Sequence, residues 1–100
     1  MFDNKRFITC GIDSSVPVWL QYFMWQSIDN MTVTAKDYLQ VFNIYNHFCD
    51  GIRQQKIVHT QEEPFYKKEY FFNWDEISPD LKIFVIDDVT HSTMLLAEEY

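Results

Sequence analysis

The sequence predicts an α+β fold: one main helix packed on an antiparallel sheet of about five strands, ordered β-α-β-β-β-β with a further β at the tail. Three observations carry this. Pro17 to Met31 (PVWLQYFMWQSIDNM) keeps helical periodicity with no glycine and no proline after the first residue. Two runs rich in aromatic and β-branched residues flank Asp50 and Gly51, the dipeptide of a tight hairpin turn. Lys82 to Asp87 (KIFVID) is a short apolar run of strand length.

In chain order, Lys5 to Cys10 is the first strand, ended by Gly11. Ser14 or Ser15 then caps the helix, and Pro17 suits its first turn because it has no N–H to leave unpaired. Thr32 to Lys36 is a connector. Asp37 to Phe48 is a long strand whose irregular alternation predicts a bulge or apolar cover on both faces. After the Asp-Gly turn, Arg53 to Glu62 forms a strand with Ile57, His59 and Gln61 on one face and Lys56, Val58, Thr60 and Glu62 on the other. Glu63 and Pro64 break it, and Phe65 to Trp74 completes an antiparallel meander. Asp75 to Leu81 is a loop or one helical turn around Pro79. Lys82 to Asp87 is a buried strand, Ser92 to Leu96 one more, and Ala97 to Tyr100 an acidic finish.

The helix has an ordinary core stripe in Leu20, Phe23, Met24, Ser27, Ile28 and Met31. Its other side is unusual. Val18, Tyr22 and Trp25 recur at i, i+4 and i+7, with Trp19 at the flank, so apolar side chains run most of the way round. Such a helix is covered twice or offers a docking face.

One hundred residues make a single domain, 1–100, large enough to bury one core. The net charge of −7, with only 8 Lys and Arg, disfavours direct nucleic-acid binding. No run is long enough to span a membrane, and no signal-peptide pattern opens the chain. The start Met1-Phe2-Asp3-Asn4 is expected to be cytoplasmic, where Cys10 and Cys49 would be buried thiols. Residues 1–61 hold five acids and five bases, so the whole excess lies in residues 62–100, where ten acids meet three lysines. That asymmetry serves solubility, as a modest acidic excess on a surface commonly does, or attracts a basic partner through residues such as Glu98 and Glu99.

Catalytic signals are thin. Asp87, Asp88 and His91 are residue types that hold a divalent metal, and with Ser92 they include those of a nucleophilic triad. Adjacent strand residues point to opposite faces, however, so the better expectation is a polar turn in which aspartates cap backbone amides. His47 and His59 flank the hairpin turn without a third metal ligand at useful spacing. Two glycines cannot build a phosphate loop. The expectation is a non-enzyme without cofactor or metal.

Met1 to Thr9 (MFDNKRFIT), Leu20 to Trp25 (LQYFMW) with Ile28 and Asp29, and Asp37 to Phe42 (DYLQVF) resemble a family of small proteins from staphylococci, enterococci, streptococci and other Firmicutes. Ile57 to Pro64 (IVHTQEEP), Val85 to Asp88 (VIDD) and Ser92 to Tyr100 (STMLLAEEY) extend the resemblance over nearly the whole chain. It is a domain family of unknown function, found on chromosomes, phages and mobile elements. It implies no catalytic residues. The resulting expectation is an acidic protein-protein interaction module that binds through Val18, Trp19, Tyr22, Trp25, Glu98 and Glu99. By analogy of size, charge and context, its most concrete form is an anti-CRISPR-like inhibitor in the nucleic-acid groove of a Cas nuclease. The alternatives are a metal-dependent enzyme built on Asp87, Asp88 and His91, or a self-associating structural protein such as a homodimer.

Overall fold

The computed structural model describes residues 1–73 and 80–100, with Cys49 described by its main chain alone. The elements are β1 (Lys5–Ile8), α1 (Cys10–Ser15), α2 (Val18–Asp29), β2 (Leu39–Cys49), β3 (Ile52–Gln61), β4 (Tyr66–Phe72), β5 (Leu81–Asp87), β6 (His91–Leu96) and a closing 3-10 turn, Ala97–Glu99. The loop or helical turn expected over 75–81 falls mainly outside the described residues.

The six strands form one sheet in the order β1-β6-β5-β2-β3-β4. The hairpin forms where Asp-Gly predicts it: Asp50 and Gly51 both take positive φ (52° and 77°), and Cys49 pairs with Ile52 across the turn. β2, β3 and β4 are the expected antiparallel meander. The register of β2 on β3 runs unbroken from Val41–Thr60 to Cys49–Ile52, so there is no bulge there. β2 alternates poorly for another reason. It lies between β3 and β5 at the middle of the sheet, where both of its faces carry apolar neighbours. The sheet is also mixed rather than antiparallel throughout, because β1 runs parallel to β6.

The helical layer is on one face. Leu20, Met24, Ser27, Ile28 and Met31 are buried as the periodicity predicts, against Phe42, Ile44, Ile57, Ile83, Val85 and Met94 of the strands. A second short helix, α1, occupies the stretch expected to lead into the cap. Thr9 caps it by accepting the Ile12 N–H at 3.3 Å, which ends β1 at Ile8. Cys10 therefore begins a solvent-facing turn and is exposed, not the buried thiol expected. Neither Ser14 nor Ser15 caps α2, whose N-cap is Pro17.

Polar groups on the buried face are tied together. The Gln40 amide N donates to Gln61 Oε1 (2.7 Å) and to the Asp37 carbonyl (2.9 Å), so Gln40 Oε1 accepts from His59 Nε2 at 2.7 Å. His59 stacks on Phe42 and is fully buried, and its Nδ1 has no partner. Burial lowers the His59 pKa from 6.5 to about 4. The unfolded chain thus binds this proton between those values and the folded chain does not, so stability falls as pH drops through that window. At 1.36 kcal/mol per pH unit the loss approaches about 3 kcal/mol by the lower end. Urea unfolding followed from pH 7 to 4 should show this slope, and a destabilised His59→Gln variant should lose it.

Candidate functional site

The residues singled out on the helix are separated by the fold. Val18 and Tyr22 are 63% and 66% exposed. Trp19 is half-buried, its ring 5.8 Å from that of Phe72. Trp25 is buried, because the parallel β1–β6 pairing carries Arg6 across α2. The Arg6 guanidinium sits 4.8 Å from the Trp25 ring centre, pairs with Asp29 and donates to the Phe2 carbonyl at 3.0 Å. The chain's own N-terminal segment thus covers the half of the second stripe that contains Trp25. Trp25 is not available as an external anchor.

The acidic residues Glu69, Glu98 and Glu99 are not equally free to meet a partner either. Glu99 accepts from the Thr9 hydroxyl (2.6 Å) and the Leu96 N–H (2.9 Å). These bonds, the Thr9 contact foremost, hold its carboxyl below the usual glutamate range against a smaller desolvation effect, and the Gly11 N–H adds to them. A Cβ at Gly11 would lie 2.5 Å from this carboxylate, so a residue without a side chain is required for the approach. Glu99 closes the start of α1 against the chain end, and Glu98 alone of this pair faces solvent without a fixed partner among the described residues. Glu69 lies between Lys56 (3.4 Å) and Lys67 (3.6 Å).

Asp87 and Asp88 point apart. Asp87 is buried and accepts from the Asn4 side chain (2.8 Å), the Val89 N–H (3.0 Å) and the Phe2 N–H (3.2 Å). Burial pushes its carboxyl up, and these three bonds outweigh it to leave the pKa lowered. Ser92 donates to Asn4 Oδ1 on the same face. Asp88 lies instead on the other side, 3.4 Å from His91 Nε2, and His91 also contacts Thr90 and the Phe7 ring. The expected amide-capping turn is what forms, and Asp87, Asp88, His91 and Ser92 do not converge. His47 pairs with Gln54 and His59 with Phe42, so the two histidines are five rungs apart and on opposite faces. Among the described residues no cluster of three His, Cys, Asp or Glu is placed to hold a metal ion.

What the sequence did not single out is the other face of the sheet. No helix covers it. Across it run Phe7 and His91, Thr93 and Leu95, Phe84 and Ile86, Leu39, Val41 and Tyr45, then Val58 and Phe71, in register from β1 to β4. Phe7 and Phe71 are about half exposed. Two shallow grooves open on this face. One, of about 350 Å³, has Leu39, Val41 and Thr60 as its floor, with the exposed rings of Tyr38 and Phe65 and the Lys82 side chain on its walls. The other, of about 450 Å³, is lined by Ile86, His91, Thr93, Leu95 and Tyr100. The missed signal is the absence of clean alternation in β2, which reads as apolar cover on both faces when only one is covered.

The fold and this surface define a one-sided, open-faced α+β protein. The chain belongs to the family described as staphylococcal protein of unknown function (DUF960), whose profile matches residues 5–99. It is similar to a protein of unknown function from Enterococcus faecalis, known as a crystal structure, with 26% sequence identity and a TM-score of 0.78 over 98% of this chain and 92% of that one. No curated protein matches it. Among the described residues no helix is long and apolar enough to cross a membrane.

Two substitutions test these local devices. Val89 is a β-branched residue at φ 70°, held there by the Asp87 carboxylate on its N–H and by Asn4 on its carbonyl. Val89→Gly should relieve that strain and stabilise the protein by about 1 kcal/mol in urea unfolding. Glu99→Gln should lower Tm at pH 7. Its effect should shrink as pH falls through the carboxyl's lowered pKa, since the stabilisation belongs to the ionised form.

Proposed function

We propose that this protein is a non-enzymatic protein-interaction module that binds through the uncovered face of its sheet. One observation carries the reading. An antiparallel sheet with helices on one side ordinarily turns polar side chains to water on the other, and here Phe7, Phe71, Phe84, Ile86, Leu39 and Val41 lie there instead. Aromatic side chains with polar tips, such as the exposed Tyr38 beside the first groove, are the anchors interfaces favour.

The acidic, groove-blocking version expected from the sequence has a narrower footing, since Trp25 and Glu99 are committed internally. It keeps Val18, Tyr22 and Glu98, which remain exposed on a surface whose acids outnumber its bases. A basic channel such as that of a Cas nuclease is the partner this second reading takes.

One experiment separates the two. Affinity capture from a staphylococcal lysate with the wild type, Val41→Asp and Tyr22→Asp should recover a defined protein with the wild type. Capture should survive Tyr22→Asp and fall at least about tenfold with Val41→Asp, a loss typical of a disrupted interface centre. The reverse pattern would give the function to the helix and its acidic surroundings.

A further inference from the structure

We infer that the partner presents to this face a polypeptide segment with an acidic centre and apolar flanks; the inference rests on the reading of the sheet face as the docking surface. Charge is the first argument. The strand side chains on this face include four lysines, Lys5, Lys56, Lys67 and Lys82, and one acid, Glu69. The strand positions of this face therefore carry +3 in a chain of −7, and the acids that share the face, Asp37, Glu62, Asp88 and Glu99, stand at the rims of its grooves. A basic patch on so acidic a protein is a segregation of charge, and segregated charge selects partners by sign.

Local geometry sharpens this. Glu69 is shared by two ammonium groups, Lys56 at 3.4 Å and Lys67 at 3.6 Å, so the trio carries one positive charge in excess. Lys56 is the more enclosed of the two, at 21% exposure, with its Nζ over the Phe71 and Tyr45 rings at 5.5 and 6.0 Å. Lys82 rests over Phe84 at 5.8 Å, and among the described residues no carboxylate pairs with it. A carboxylate supplied from outside would find one enclosed ammonium group, Lys56, beside the exposed Lys67 and Lys82, and at the enclosed one a charge-assisted contact is stronger than at an open surface.

The same features argue against two other occupants. A second copy related by a twofold axis through the lysine cluster would set lysines against lysines. A nucleic-acid strand needs free ring faces for its bases, and here lysines already lie over Tyr45, Phe71 and Phe84. Its backbone charges would also continue past the patch into the acidic surroundings. A peptide segment avoids this, since its charge ends within about one Debye length, about 8 Å at physiological salt. Asp37 and Glu62 rim the first groove, and Asp88 and Glu99 the second. Carboxylates of the segment are thereby confined to the lysine cluster. Its apolar side chains fall to the Val41–Tyr38–Phe65 and Thr93–Leu95 grooves.

The test is an amide chemical-shift titration of the whole protein with three probes. These are a short synthetic peptide with central glutamates flanked by leucine and phenylalanine, the same peptide with lysines for the glutamates, and a short oligothymidine. The glutamate peptide should give saturable shifts on the outer positions of β2 to β5. Its affinity should fall about tenfold or more in the Lys56→Glu, Lys82→Glu double variant and at high salt, as expected for charge-steered contacts. Equal or tighter binding of the lysine peptide on the same residues would overturn the acidic segment while keeping the face. Tighter oligothymidine binding there would make it a nucleic-acid platform instead. A dimer in sedimentation that Val41→Asp dissociates would give the face to a second copy. Shifts confined to α2 would overturn the face itself.

Discussion

A sheet has two faces, and the described residues of this chain have helices enough for one. Six strands about 4.8 Å apart span about 24 Å, whereas a helix with its side chains is about 10 Å across. α2 therefore covers less than half of even the face it packs on. The rest of that face is closed by Phe2, Ile12 of α1, Val16 and Met31, every one of them buried. Once these have been used, the described chain has no further element to lay over the opposite face. The architecture and the open face follow from the same shortage.

That shortage also explains why the N-terminal segment is so firmly fixed. Phe2 is a fully buried ring at a positive φ of 66°, a conformation that costs a non-glycine residue free energy and persists only when its surroundings impose it. Here they do: Asp87 takes its N–H and Arg6 its carbonyl. Arg6 then reaches Asp29 and the Trp25 ring, so β5, the chain start and the C-terminal half of α2 are bound through one set of contacts. Glu99 does the same between the other chain end and α1. Titratable groups that look functional in the sequence are in this way holding the ends of the chain in place.

The sequence was legible where a pattern is local. Asp50-Gly51 set the hairpin, the i, i+3, i+4 spacing of Leu20, Met24, Ile28 and Met31 set the buried side of α2, and the alternation in β3 placed Ile57, His59 and Gln61 inward. It was not legible where a contact joins distant segments. The Arg6–Trp25 and Glu99–Thr9 contacts span separations that no periodicity reports, and these two commit Trp25 and Glu99 to partners within the chain. The parallel β1–β6 pairing was hidden for the same reason. β1 is four residues long, and its neighbour lies at the other end of the chain.

The uncovered face was hidden differently, because its signal was present and ambiguous. Leu39, Val41, Phe84 and Ile86 give β2 and β5 the near-continuous apolar character of strands buried on both sides. Composition cannot distinguish a strand buried twice within its own chain from one that awaits its second layer. The lysines speak for the second, the face we propose as the docking surface. A face destined for the protein's own interior would have no reason to carry Lys56, Lys67 and Lys82 among its rings, since burying an ammonium without an adequate partner is costly. On a face that meets another molecule, the aliphatic stems lie along the apolar surface and the charges remain at the rim of what docks, to choose it by sign. The mixture of exposed rings and held ammonium groups is thus what an interface requires and a core does not.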